Sequence, residues 1–112
     1  MFNSKDKRRG LFEDWLNSQQ SVYSGKIKSY LRAIDILENE FGISIYSEAD
    51  VTALQDLYDD LKLNQRDKNG KYYYGKAKSY GAGGFYSAAV GTYIDFVREN
   101  PVNSKKEYTS IS

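Results

Sequence analysis

Apolar residues recur in this chain in four stretches at helical spacing, separated by polar breaks. Leu11, Phe12, Trp15 and Leu16 stand at i, i+1, i+4 and i+5, one stripe of a short helix over about residues 8–19. The small polar residues of "SQQSVYSG" end it. Ile27, Tyr30, Leu31, Ile34, Leu37 and Phe41 form the clearest stripe, with Ser24 placed to cap its start and Gly42 to stop it. In "ISIYS" the apolar positions Ile43, Ile45 and Tyr46 alternate, but a single strand has no partner here, so the segment reads as an extended buried connector. Ser47 or Asp50 then caps a third helix with Val51, Leu54, Leu57, Tyr58 and Leu61 on one face and Asp56, Asp59 and Asp60 on the other. The fourth begins near Phe85, carries Tyr86, Ala89, Val90, Tyr93, Phe96 and Val97 on one arc, and stops at Asn100 and Pro101. Four amphipathic stripes predict an all-α fold, a small four-helix bundle closing on Trp15, Leu31, Ile34, Leu57, Tyr93 and Phe96. Residues 1–7 read as a flexible basic N-terminus, 8–100 as the helical domain and 101–112 as a flexible tail or linker.

Two missing residue types narrow the chemistry. Without cysteine there is no disulfide framework, thiolate zinc site or cysteine nucleophile. Without histidine there is no Ser-His-Asp triad, no HExxH zinc helix and no imidazole base. The chain therefore reads as a non-enzyme without cofactor, and Asp56, Asp59 and Asp60 as a solvated helix face rather than a metal site. No apolar run approaches the ~18 residues of a membrane span, and "MFNSKDKRRG" lacks the apolar centre of a signal peptide, so a cytoplasmic protein is expected.

The formal net charge of +1 conceals a strong segregation. Residues 1–32 carry seven bases and three acids, 33–61 eight acids and no base, and 62–80 six bases and one acid. A molecule polarised in this way steers an anionic partner to one side. The stretch "KYYYGKAKSYGAGGFY" at 71–86 has no acid, and its lysines interleave with tyrosines that can donate to phosphate oxygens or stack on bases. About twenty residues separate the third and fourth stripes, a connection long enough to imply either binding or local folding. Asn69-Gly70 is a tight-turn signal compatible with a hairpin pairing residues 63–66 with 72–74. The plain alternative is that the tyrosines pack on the helices and the glycines only let the chain turn. The binding candidates are Lys26, Lys28 and Arg32 on the second helix, Arg66, Lys71, Lys76 and Lys78 in the connection, and Gly83 and Gly84, whose amides would be bare before the last helix. On the second helix the bland reading is an i, i+3 pair between Arg32 and Asp35.

"LFEDWL", "KIKSYLRAIDIL", "DVTALQDLYDDL" and "FYSAAVGTYIDFV", in this order over about residues 10–98, resemble the N-terminal, SAM-like core-binding domains of tyrosine recombinases. They are also similar to the small helical domain that precedes the nuclease in some bacterial restriction endonucleases of HNH type. The resemblance rests on Phe12, Trp15 and Leu16, on Tyr30, Leu31 and Ile34, and on Ser87, Ala88 or Ala89, Tyr93 and Phe96. It implies a module that clamps double-stranded DNA through its phosphate backbone for a catalytic domain or protein partner. The long basic Tyr/Gly-rich loop before the last helix departs from the recombinase pattern and suits the restriction-associated one better. The rival expectation is a protein-interaction or inhibitor module, a phage or plasmid factor, that uses the acidic surface of 33–61 on a basic partner.

Overall fold

The computed structural model describes residues 4–19, 22, 24–48 and 50–100. Among them the chain is all-helical and contains no strand: α1 Ser4–Ser18, α2 Ser24–Asn39, α3 Val51–Asn64, α4 Lys78–Ala82 and α5 Phe85–Glu99, with a 3₁₀ turn Gly75–Ala77 leading into α4. The tail assigned to 101–112 lies outside the described residues, as do 1–3 of the basic N-terminus.

The helices start and stop where local chemistry dictates. The Asp50 carboxylate accepts from the Thr52 amide at 2.9 Å, so Asp50 rather than Ser47 caps α3. After α2 the Ile43 amide returns to the Leu37 carbonyl at 3.1 Å. The Glu38 carboxylate accepts from the amides of Ile45 and Tyr46 at 2.8 and 2.7 Å, turning the connector so that both side chains are buried. α1 begins four residues earlier than its apolar stripe predicts, because Arg8, one turn before Phe12, belongs to its inward face. Its guanidinium lies 4.8 Å from the centre of the Phe96 ring and donates to the Asn100 carbonyl at 3.3 Å.

α5 is the hub of this helical bundle, packing against both α2 and α3, while α1 rests mainly on α2. An aromatic cluster fills the α1–α5 side: Phe12 meets Tyr93 edge-on at 5.0 Å and Phe96 at 5.4 Å, and Tyr46 meets Tyr93 at 5.3 Å. Two members of the expected core are only half-buried, Trp15 and Leu57. Trp15 covers the cluster from outside, with its indole N–H donating to Glu99 Oε1 at 3.1 Å.

The polar stretch between α3 and α5 is not an open loop. Its Asn69-Gly70 signal does make a turn, with the Gly70 amide on the Asp67 carbonyl at 3.0 Å and the Asn69 amide on Asp67 Oδ1 at 2.9 Å. No hairpin follows, because Tyr72 is drawn into the core instead of pairing with 63–66. Three rings then set their edges against Phe41: Tyr72 at 6.1 Å, Tyr74 at 6.2 Å and Tyr86 at 6.3 Å.

α4 is pressed onto the end of α3. A Cβ on Gly81 would stand 2.5 Å from the Gln65 carbonyl oxygen, a backbone atom that cannot swing aside. Gly81→Ala is therefore expected to cost ~1–3 kcal/mol, as overpacking does. Thermal unfolding checks this, and an unchanged midpoint would mean that α4 does not dock as described.

Candidate nucleic-acid interface

The site is built on the last turn of α3. Gln65, just past the helix, is buried and reaches across to α5: its side-chain carbonyl accepts from the Ser87 amide at 3.0 Å and its amide nitrogen donates to Ser87 Oγ at 2.7 Å. One glutamine thus satisfies an otherwise unpaired donor in the first turn of α5. Gly84 precedes α5 with φ at +78°, the left-handed region that glycine enters without steric cost.

Arg66 follows Gln65 and lies over this turn. Its Nε donates to the Ala82 carbonyl at 3.1 Å, and a Cβ on Gly84 would stand 2.7 Å from its Nη2. The first turn of α5 contains no acid, so an exposed guanidinium sits beside the positive end of a helix. Arg66, Lys68 and Lys78 line a cavity of about 240 Å³ together with Tyr72, Tyr73 and Tyr74. Asp67 is the one acid on its wall.

Asp60 fixes the segment that carries this cavity. Its carboxylate accepts from Lys71 Nζ at 2.7 Å, from the Tyr72 hydroxyl, and from Asn64 Nδ2 at 2.9 Å. These hydrogen bonds, Lys71's the strongest, hold the carboxyl below the usual carboxylate range. Burial, seconded by the bond to Asp60, pushes the Tyr72 phenol above its ordinary value. Burial also pushes the Tyr86 phenol up to about 12, with Tyr74 and Tyr80 adding to the effect and the Arg32 charge opposing it.

The structure brings some of the expected binding residues together and separates others. Arg66 and Lys78 share the cavity wall, and Lys76 stands exposed on the 3₁₀ turn between the tyrosines and α4. Lys71 is turned to Asp60 and serves the fold. The amides of Gly83 and Gly84 are not bare, since they donate to the carbonyls of Ser79 at 2.8 Å and Gly81 at 3.1 Å. On α2, Arg32 is exposed, and its charge acts on Tyr86 at the tyrosine cluster. Asp35 does not pair with it, because Arg9 of α1 holds both carboxylate oxygens at 2.9 and 2.7 Å. Lys26 leans toward the Tyr30 ring at 6.0 Å and Lys28 is exposed, and neither lines the cavity. Sequence reasoning missed Gln65, whose role appears only once α4 and α5 fold back on it, and Lys68, which stood in view beside Asn69-Gly70.

Among the described residues no cluster of carboxylates is set to hold a metal ion, and no helix is long and apolar enough to cross a membrane. No family model matches the chain, and neither a curated protein nor a solved structure matches it.

Proposed function

We propose that this chain is a non-catalytic, cytoplasmic DNA-binding module that holds the phosphate backbone of duplex DNA. The observation that carries the reading is where its charges are spent. Of the eight acids in 33–61, Asp35 is taken by Arg9, Glu38 by the connector amides, Glu48 and Asp50 by backbone amides around the start of α3, and Asp60 by Lys71 and Tyr72. A carboxylate that accepts from a backbone amide keeps its charge, so the reading rests on the cations rather than on these acids. The cations are left outward: Lys28, Arg32, Arg66, Lys68, Lys76 and Lys78 are exposed and form no ion pair among the described residues. Exposed lysines and arginines without an ion-pair partner are the groups that neutralise phosphates and release the counterions condensed on a polyanion.

On this reading α1, α2, α3 and α5 are the four helices of a SAM-like core-binding bundle, and α4 with its preceding turn is the basic, tyrosine-rich addition. A catalytic domain on another chain, or elsewhere in a longer one, would then act on the DNA that this module holds. Arg66, Lys76 and Lys78 form the main contact, supported by Lys28 and Arg32 from α2, with Lys26 at its edge.

Titration of labelled duplex by fluorescence anisotropy at several salt concentrations tests this. The variant Arg66→Ala/Lys76→Ala/Lys78→Ala is expected to bind more weakly, with a salt slope flatter by roughly three, one released counterion per lost contact. Lys71→Ala is expected to leave the slope nearly unchanged and to lower stability instead. Absence of binding by the unmodified protein at low salt would overturn the reading and favour a protein partner.

A further inference from the structure

We infer that the cavity between the end of α3 and α4 receives an unpaired nucleotide, with its base on Tyr73 and its phosphate among Arg66, Lys68 and Lys78. This rests on the proposed nucleic-acid binding and names the part of the ligand that the cavity takes. Here three cations converge around a concavity of about 240 Å³ whose wall also holds three tyrosines.

Tyr73 differs from its neighbours in the run. Tyr72 and Tyr74 are locked edge-on against Phe41, whereas Tyr73 is 42% exposed and has no ring partner among the described residues. Its backbone is nevertheless held, its amide donating to the Gly70 carbonyl at 3.3 Å inside the turn. The edge of its ring lies beside Gly75, where a Cβ would stand 3.8 Å from Cε2 and 3.9 Å from the hydroxyl oxygen. Neither face of the ring is taken by another ring among the described residues, which leaves it open to a flat ligand. Stacking on such a ring is open to any base, because every base has a π-face, and a paired base inside a duplex does not offer that face. The cations give the phosphate its place, and Asp67, already accepting from the Asn69 amide, leaves the wall with a balance of two positive charges.

Three labelled DNAs of one sequence test the inference by anisotropy: a blunt duplex, the duplex with a short single-stranded overhang, and the single strand alone. The overhang is expected to bind roughly tenfold more tightly than the blunt end, within what one stacked base contributes. Tyr73→Ala should abolish that preference while leaving blunt-duplex affinity unchanged, and Tyr73→Trp should restore it. Circular dichroism melts of both variants should match the unmodified protein, since the ring is half-exposed. Lys68→Ala, which removes no packing, provides a second variant and should weaken overhang binding more than blunt binding. Equal affinity for blunt and overhang DNA, or a preference that survives Tyr73→Ala, overturns the inference and leaves duplex binding standing. Displacement of the overhang DNA by micromolar adenosine monophosphate would also overturn it, by making the site one for a free nucleotide. No binding to any of the three removes both readings.

Discussion

Phe12→Ala is expected to cost ~3–5 kcal/mol, the range for truncating a large aromatic in a packed core. The side chain is fully buried, and its ring contacts reach three elements at once: Trp15 on its own helix, Tyr46 in the connector, and Tyr93 and Phe96 on α5. Removing it leaves a void whose walls are other rings, flat and stiff, so little relaxation can close the gap. Against a total stability of ~5–15 kcal/mol, a loss of this size brings a marginal domain close to unfolding at ordinary temperature. Trp15→Ala should cost less, because that indole is half-buried, stacks on one side of Phe12 at 6.2 Å, and keeps its N–H on an exposed Glu99. Urea denaturation of the two variants side by side decides the matter. A larger loss for Trp15→Ala would mean that α1 is rotated on α2 and α5 relative to this structure.

That comparison also shows what the sequence pattern could and could not reveal. Periodicity located α1, α2, α3 and α5, because each buries an apolar stripe and hydrophobic spacing is the direct trace of burial. Within α1, however, two overlapping stripes were available. Counting apolar residues favours the one through Trp15, while the buried line runs Arg8, Phe12 and Leu16, i, i+4 and i+8. An arginine on that line is invisible to a hydrophobicity count, and only the Phe96 ring and the α5 terminus make its burial tolerable. The same limit explains α4. A five-residue helix with a glycine in it has no stripe to detect, and it exists because Gly81 lets it lie on the Gln65 carbonyl.

The candidate site was legible as a region and misread in its details for one physical reason. Composition reveals that 62–80 is basic and rich in tyrosine, yet which cations remain free depends on acids brought near by folding. Asp60 stands eleven positions before Lys71 on a helix face that looked solvated, and that single carboxylate diverts one lysine and one tyrosine into the fold. The glycines were misread likewise. Their amides looked bare only because the carbonyls of α4 that accept them belong to a helix the pattern did not show.

The tyrosines that hold this region in place also set an upper pH limit on the fold, and the protein is expected to unfold cooperatively above about pH 10 rather than lose structure gradually. Tyr46, Tyr72, Tyr86 and Tyr93 are all buried, and burial is the first cause raising each phenol above its ordinary value, Tyr86 to about 12. A raised folded value means the unfolded chain gives up its phenolic protons first. The stabilisation from keeping these groups neutral is therefore intact below the unfolded value near 10 and is lost as pH climbs towards the folded values. Each phenol can contribute a slope of up to about 1.4 kcal/mol per pH unit, and all four act in the same direction against a stability of only ~5–15 kcal/mol. Tyrosinate absorbance followed alongside far-UV circular dichroism should show two phases. Part of the absorbance change should come with the helices intact, and the buried phenols should ionise later, together with loss of helix. Tyr86→Phe sharpens the test, because the Tyr86 hydroxyl is buried with no hydrogen-bond partner among the described residues. Its removal should leave neutral-pH stability unchanged or improved and move the collapse to higher pH, since a buried hydroxyl without a bond costs free energy and one titrating group is gone. A single ionisation phase with helicity retained throughout would show that the four phenols are open to solvent, and the packing of Tyr72 and Tyr86 beneath the candidate site would fall with it.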